Sequence, residues 1–194
     1  MDTLQAITAR RSIRRFSSKP VDRATVEKTL EAAVRAPSGK NRQPWRFAVL
    51  TTEARTHLAD LIDRSCQAIR SAGGEVGSAP GTAQVIRQAP VTIVIFETPI
   101  PPEWKNFESG MRIVDVQSIG AAIQNMCLAA VELGLGSLWI ADVLYAEDTI
   151  SRWLGRPEER LVAALSIGYP DESPDPRSRK PLDEVVEWRS EASA

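Results

Sequence analysis

The chain has 194 residues, 43% of them hydrophobic, which is enough for one compact domain with a substantial core, so we expect a single domain over 1–194. Its 24 lysines and arginines nearly balance its 25 aspartates and glutamates, and the net charge of −1 predicts no overall attraction to nucleic acid or to an anionic membrane. The N-terminal residues lack a basic and apolar leader pattern, and no run reaches the roughly 18 apolar residues of a membrane span. We therefore expect a cytoplasmic protein with no nucleic-acid or membrane partner.

Histidine and cysteine usage restricts the chemistry that side chains alone could perform. The one histidine, His57, lies early in a predicted helix and far from any nucleophile motif, and the two cysteines, Cys66 and Cys127, have no metal-ligand spacing. His-based triads and His-rich metal sites therefore have little support, and we expect no metal site. An enzyme built on this chain is expected to obtain its chemistry from a cofactor.

Hydrophobic periodicity and turn residues predict five helices and four strands. In chain order the helices are expected at 3–10, 23–36, 53–72, 114–133 and 147–154, and the strands at 45–51, 91–96, 137–141 and 161–167. Between them lie a loop at 37–44, a glycine-rich flexible connection at 73–82 and an ordered excursion or lid at 97–111. Four strands separated by long helical segments indicate an α+β or α/β sandwich.

Two segments are more apolar than one small monomer can easily bury. The helix predicted at 114–133 is apolar nearly all round, which is typical of a helix at the centre of a protein or at a subunit interface. The tail at 170–188 is proline-rich and ends in the apolar run VVEW at 185–188. A two-fold homodimer with a large interface would cover both segments.

The sharpest chemical feature is a cluster of four arginines in six residues, RRSIRR at 10–15, and a second basic cluster, RSRK, follows at 177–180. Several guanidinium groups and a serine hydroxyl on one short segment are suited to bind a phosphate. For the first cluster a solvated basic patch or a nucleic-acid contact remains open, and for the second a solvated charged tail. The chain has no GxxxxGK[ST] loop and no GxGxxG after a strand, so a bound phosphate would have to be held by the arginines.

The loop at 37–45 reads PSGKNRQPW and places short polar side chains between prolines immediately before a strand. It is either a simple helix-to-strand turn or a rigid set of donors and acceptors for a polar ring. The physical pattern alone leaves both interpretations open.

Taken in order, these segments resemble the nitroreductase family of flavoproteins. The similar segments are RRSIR at 10–14, APSGKNRQPW at 36–45, NMCLAAVELGLGSLW at 125–139, and IGYP at 167–170 followed by RSRKP at 177–181. The resemblance extends from about residue 4 to 188. It implies an α+β fold, a three-layer α/β/α sandwich with a mixed central sheet, and a C-terminal extension that packs on the partner subunit. It also implies a homodimer with FMN sites in its interface.

The resemblance also implies which residues bind FMN. Residues near both ends of the chain would hold the phosphate and ribityl chain, namely Arg10, Arg11, Ser12, Arg14, Arg177 and Arg179. A loop from the other subunit would face the flavin ring with Pro37, Ser38, Lys40 and Asn41. The segment Trp139, Ile140 and Ala141 would run along the ring, and the backbone amide of Ala141 would donate to N5, the catalytic contact. Some members carry an Asn and a Lys before the second strand, where residues 82–86 have neither, and Gln84 is the substitute candidate.

The activity that the resemblance implies is an oxidoreductase that uses NAD(P)H to reduce a small-molecule electron acceptor, such as a nitroaromatic or a quinone, by a ping-pong mechanism. Another flavin reaction on the same fold, of the dehalogenase, flavin-cleaving or azoline-oxidase type, is the first alternative. A non-catalytic nucleotide-binding module that uses the same arginines is the second.

Overall fold

A computed structural model describes residues 1–190 of the chain. It contains six helices and four strands: α1 (Thr3–Ala9), α2 (Arg23–Ala33), β1 (Trp45–Leu50), α3 (Thr52–Ser71), α4 (Ala79–Gln88), β2 (Val91–Glu97), α5 (Glu108–Glu132), β3 (Gly136–Ile140), α6 (Glu147–Trp153) and β4 (Arg160–Gly168). Short 3₁₀ turns at Gly39–Asn41, Pro102–Phe107, Asp142–Ala146 and Leu182–Glu184 join or follow these elements.

The four strands form one sheet in the order β1-β2-β4-β3, and each neighbouring pair is antiparallel. Long helical connections usually join parallel strands, and the resemblance implied a sheet that contains both parallel and antiparallel pairs. Here α3 and α4 run in opposite directions. The chain therefore enters β2 at the same end of the sheet at which it left β1, and the two strands are antiparallel. In residues 1–190 the parallel pairing is confined to an isolated bridge between Ser12 and Ser137.

Both faces of the sheet are covered by helices, which confirms the predicted α+β three-layer sandwich. Successive side chains of β2 alternate between the two cores, as strand geometry requires. Val94 and Phe96 are buried with residues of α3, α4 and α6 on one face, whereas Ile93 and Ile95 are buried with residues of α2 and α5 on the other. The centre of the sheet is therefore rigid, and the site described below lies on segments fixed to its edge strand β3.

Helix α5 is the longest element and begins at Glu108, six residues before the predicted start. It buries Ile119, Ile123 and Met126 against the sheet but leaves Ile113 and Val116 exposed by 61% and 39%. Together with the preceding 3₁₀ turn, α5 is long and apolar enough to span a membrane, yet 44% of its apolar window is buried inside the protein. Burial against the sheet is typical of the core helix of a globular domain.

Three boundaries differ from the sequence predictions. Residues 73–82 were expected to be a flexible connection, but α4 begins at Ala79, with Pro80 in its first turn, where a missing N–H costs nothing. Helix α2 ends at Ala33, and 34–36 form a turn rather than the last turn of the helix. The predicted lid at 97–111 folds into a 3₁₀ turn and the start of α5.

Apolar side chains of the C-terminal tail are left uncovered by the rest of residues 1–190. Leu182, Val185 and Trp188 are exposed by 69%, 60% and 88%. Such exposure of apolar side chains is unusual for a segment that stays in solvent. Packing of this tail on a partner subunit therefore stays a prediction that the exposed surface favours.

Candidate functional site

The arginine-rich segment leaves α1 and runs along β3. The amide of Ile13 donates to the carbonyl of Ser137 at 2.9 Å, and the Ile13 side chain is buried against Gly136. A Cβ at Gly136 would lie 2.6 Å from Ile13 Cγ1, so only glycine allows this approach. Because Ile13 points inward, the neighbouring Ser12 and Arg14 are directed to the surface.

The tail brings the second arginine pair to the same place. Both basic clusters line one cavity of about 490 Å³, whose walls are Ile7, Thr8, Arg10, Arg11, Ser12, Arg14, Pro174, Asp175, Pro176, Arg177 and Arg179. Segments from opposite ends of the chain therefore converge, as a phosphate site made of arginines requires. We call this set of residues the arginine cavity.

Most donors of the arginine cavity have no acidic partner. Within residues 1–190, no carboxylate lies in salt-bridge distance of its five arginines. Arg11 Nη1 donates to the carbonyls of Thr8 and Arg10 at 2.7 and 2.9 Å, which closes the end of α1. Arg179 Nη1 likewise donates to the carbonyls of Arg177 and Ser178 at 3.0 and 3.1 Å, and Arg14 Nη1 donates to that of Ser12 at 3.5 Å. The other guanidinium nitrogens remain as donors for a phosphate. Arg15, by contrast, pairs with Glu172 at 3.6 Å and does not line the cavity.

A second cavity of about 350 Å³ adjoins the first and is lined by Arg14, Ser78, Gly81, Thr82, Val85, Leu138, Trp139, Ile140, Ala141 and Asp142. Arg14 lines both cavities, and we call the two together the groove, which extends from the arginines to the end of β3. Trp139 is 44% exposed in a strand whose other residues are buried. The Ile140 side chain is buried, so only its backbone is available to a ligand.

Three polar residues of this second cavity, Ser78, Thr82 and Asp142, have side-chain contacts that the sequence analysis did not predict, although the resemblance placed the backbone of Asp142 in the segment along the ring. The Asp142 carboxylate accepts hydrogen bonds from Ser78 Oγ at 2.8 Å and from Thr82 Oγ1 at 2.5 Å. These bonds fix the start of α4 against the segment that follows β3. Gln84, the substitute suggested for the missing Asn and Lys, is exposed and lines neither cavity. Ser78 and Thr82 have the i, i+4 spacing that places two side chains on one face of a helix, but the sequence analysis did not predict α4.

The loop at 37–44 is rigid and strained rather than a simple turn. Lys40, Asn41 and Gln43 have φ of 51°, 54° and 51°, in the left-handed region that non-glycine residues rarely adopt. Ser38 Oγ accepts from the amide of Gln43 at 3.0 Å, and Gln43 Nε2 donates to Asn41 Oδ1 at 3.3 Å. The loop is thus held by its own hydrogen bonds.

A buried ion pair fastens this loop to the rest of the protein. Arg42 Nε lies 3.1 and 2.8 Å from the two carboxylate oxygens of Asp115, and Nη2 lies 2.8 Å from one of them. Nη2 also donates to the carbonyls of Thr98 and Pro99, at 2.8 and 3.2 Å. Asp115 is completely buried in α5. One guanidinium therefore joins the loop, α5 and the segment after β2.

Within one chain the loop does not join the groove. Pro37, Ser38, Lys40 and Asn41 line neither of the two cavities. Lys40 Nζ instead lies 5.0 Å from the centre of the Trp104 ring, which connects the loop to the segment predicted as a lid. Their expected place against a flavin of the partner subunit stays a prediction.

Other chemistry finds little support in the described residues. Both cysteines are free and buried, and burial raises the pKa of the Cys66 and Cys127 thiols, which disfavours the reactive thiolate. No group of three His, Cys, Asp or Glu side chains in residues 1–190 could hold a metal ion.

Arginines that have no acidic partner within residues 1–190 therefore line a cavity beside β3, an arrangement suited to an anionic group such as a phosphate. The chain belongs to the nitroreductase family, whose sequence pattern matches residues 7–169. The described fold agrees with that of solved relatives.

Similar proteins cover nearly the whole chain. A protein of Archaeoglobus fulgidus, named as an NADH dehydrogenase/NAD(P)H nitroreductase, is 31% identical over 179 residues, which are 90% of this chain and 88% of the relative. A nitroreductase-type protein of Desulfovibrio desulfuricans, solved in complex with FMN, is 29% identical with a TM-score of 0.76, covering 97% and 98% of the two chains. An FMN and NADPH-dependent nitroreductase of Sphigopyxis sp. strain HMH is 26% identical with a TM-score of 0.77, covering 97% and 99%.

Proposed function

We propose that the protein is a cytoplasmic, homodimeric oxidoreductase that binds FMN and uses NAD(P)H to reduce nitroaromatic, quinone or similar acceptors. One observation carries this proposal. The two arginine clusters, from opposite ends of the chain, line one cavity, and Arg14 of this cavity also lines a second one together with the exposed Trp139 and with Ala141. Relatives that bind FMN and use NADPH, as described above, support the same assignment.

The groove offers a complementary surface to each part of FMN. The phosphate meets the donors of Arg10, Arg14, Arg177 and Arg179, and the Ser12 hydroxyl adds a further donor at the same end. Arg11, whose Nη1 is engaged with the end of α1, contributes its remaining donors and its charge. A dianionic group is bound most strongly where several cations converge without acidic partners.

The ring end of the groove is formed largely by backbone and apolar groups. Trp139, Ile140 and Ala141 lie along it, and the buried Ile140 side chain fixes the course of the backbone. The amide of Ala141, next to this buried side chain, would be the donor to the flavin N5. When bound, FMN supplies the redox chemistry, because it accepts a hydride from NAD(P)H and returns it to the acceptor.

The protein's own contribution is orientation and electrostatics. A fixed N–H at N5 and positive charge near the pyrimidine edge favour the reduced cofactor without any side-chain acid or base. Lys40 and Asn41 of the partner subunit, with Pro37 and Ser38 beside them, complete the ring pocket across the dimer interface. One open pocket serves both the reductant and the acceptor, which gives ping-pong kinetics.

A dimer is further supported by exposed apolar surface. Among residues 1–190, Ile113 and Val116 on α5 and Leu182, Val185 and Trp188 of the tail remain exposed. Two-fold association through these surfaces would bury them and would bring the loop at 37–44 of one subunit toward the groove of the other.

The purified protein tests the proposal directly. We expect a yellow protein with flavin absorbance near 450 nm (roughly, by the general behaviour of flavin cofactors). Anaerobic NADH or NADPH should bleach it, and adding a nitroaromatic or a quinone should restore the colour. Light scattering should give the mass of a dimer. A colourless protein that does not bind added FMN would contradict the proposal. If FMN is bound but neither NADH nor NADPH bleaches it, the assigned reductant is wrong and only the assigned cofactor stands.

A further inference from the structure

The segment after β4 is fastened to the arginine-rich segment near the N-terminus. The amide of Ser17 donates to the carbonyl of Tyr169 at 2.9 Å, and the amide of Asp171 donates to the carbonyl of Arg15 at 3.0 Å. The attachment ends at Glu172. One oxygen of its carboxylate accepts the backbone amides of Arg14 at 2.5 Å and of Arg15 at 3.1 Å.

Glu172 is the last point at which the tail is hydrogen-bonded to the body of the protein. From Ser173 to Ser190, the hydrogen bonds and salt bridges that the structure describes stay within the tail itself. Yet this unattached stretch contains Arg177 and Arg179, which line the arginine cavity. The position of these two arginines in the cavity therefore depends on the point at which the tail leaves the body of the protein.

The connection from Glu172 to these arginines is short and stiff. Pro174 and Pro176 lie between them, and each fixes its own φ and restricts the residue before it. Because this connection is stiff, the position of Glu172 determines the position of Arg177. The Glu172 side chain is 20% exposed, so it is held against the arginine-rich segment rather than extended into solvent. Bonds from backbone amides to a carboxylate are also stronger than neutral ones.

Glu172 acts on both halves of the arginine cavity. It holds the backbone of Arg14, whose side chain lines the cavity, and it sets the origin of the tail that carries Arg177. We infer that Glu172 is a positioning residue for the cofactor phosphate, which fixes the tail arginines opposite the N-terminal ones without touching the phosphate itself. The inference rests on the proposed FMN function.

The test compares FMN with riboflavin, which lacks the phosphate. The full-length protein is stripped of flavin and titrated with each ligand by flavin fluorescence, for the wild type, E172A, E172Q and the control D171N. We expect E172A to weaken FMN binding at least about tenfold, the equivalent of one lost charge-assisted contact, and to change riboflavin binding less than about twofold. E172Q keeps an acceptor for the amides and should restore most of the FMN affinity. D171N removes the neighbouring charge, whose side chain makes no hydrogen bond in the structure, and should match the wild type.

A double-mutant cycle separates positioning from a general loss of folding. In an R177A/R179A background the tail has no arginine left to position, so E172A keeps only the share of its effect that acts through Arg14, and the further loss of FMN affinity should be smaller than in the wild-type background. Should E172A fold poorly, as judged by circular dichroism, E172M preserves the length of the side chain, removes both acceptors and carries the same expectation.

Three results would overturn the inference: unchanged FMN affinity in E172A, an equal loss of FMN and riboflavin affinity, or a full additional loss in the R177A/R179A background. Failure of the proposed function looks different. In that case the wild-type protein itself binds neither ligand, or binds both equally.

Discussion

The buried pair between Arg42 and Asp115 gives the sharpest test of the fold around the loop at 37–44. Replacing Asp115 by leucine removes a carboxylate that is completely buried and leaves the Arg42 guanidinium, whose side chain is 12% exposed, without its counter-charge. Breaking a buried pair by removing one partner typically costs about 3–5 kcal/mol, because the other charge stays buried. Arg42 retains the carbonyls of Thr98 and Pro99 as acceptors, so we expect the lower end, about 3 kcal/mol.

The reverse substitution should cost more. In Arg42→Met the carboxylate of Asp115 would remain fully buried, and the hydrogen bonds that the structure gives it all come from Arg42. We therefore expect about 4–5 kcal/mol for this variant. The double variant R42M/D115L removes both charges and replaces them with apolar side chains, so it should recover most of the lost stability. The free energy of unfolding is measured by urea denaturation, followed by circular dichroism at one fixed protein concentration.

The exposed pair Arg23–Glu27 is a matched control. Its two side chains are 92% and 51% exposed, so Glu27→Gln should change the unfolding free energy by less than about 0.5 kcal/mol. A loss below about 1 kcal/mol in D115L would refute the reasoning. A double variant as unstable as the sum of the two single variants would refute it as well.

Further predictions concern the groove, the loop and the cysteines. Arg14→Ala should weaken FMN binding at least about tenfold, as measured by flavin fluorescence, because Arg14 lines both cavities, and the exposed Arg35 provides the control substitution. Gly39→Ala should lower the unfolding free energy by about 1–3 kcal/mol in a denaturation experiment, because its Cβ would lie 2.2 Å from Val114 Cγ1; an unchanged stability would contradict this packing. Both cysteines should resist a thiol reagent at pH 8 in the folded protein and react in urea, because burial raises the pKa of their thiols; rapid reaction of the native protein would show that they are accessible.

The layers of the fold and the arginine cavity followed from local patterns in the sequence. The β-branched run at 91–96 predicted the central strand β2, and the apolar run ending at Gly134 predicted α5. The two basic clusters predicted one cavity through the resemblance, and the structure brings Arg14 and Arg177 together. These features can be predicted from the sequence because each depends either on residues close together in the chain or on several motifs that occur in a fixed order.

Other features depend on contacts that no short segment contains. Helix α4 was missed because Pro80 and Gly81 suggest a loop, although a proline in the first turn is compatible with a helix. Asp115 stands in a segment read as apolar, and its partner Arg42 lies 73 residues earlier. The antiparallel sheet likewise depends on how α3 and α4 pack together, which the length of the connection does not reveal.

The left-handed residues of the loop at 37–44 have a consequence for how this protein can be improved or changed. At Lys40, Asn41 and Gln43 glycine would adopt the observed φ with less strain, and each non-glycine residue in such a region costs of order 1 kcal/mol. The chain thus retains three side chains at positions where glycine would give the backbone less strain. A screen for thermostability would favour glycine at Lys40 and Asn41 and would remove two side chains proposed to face the flavin, so stability and activity are expected to oppose each other at these two positions.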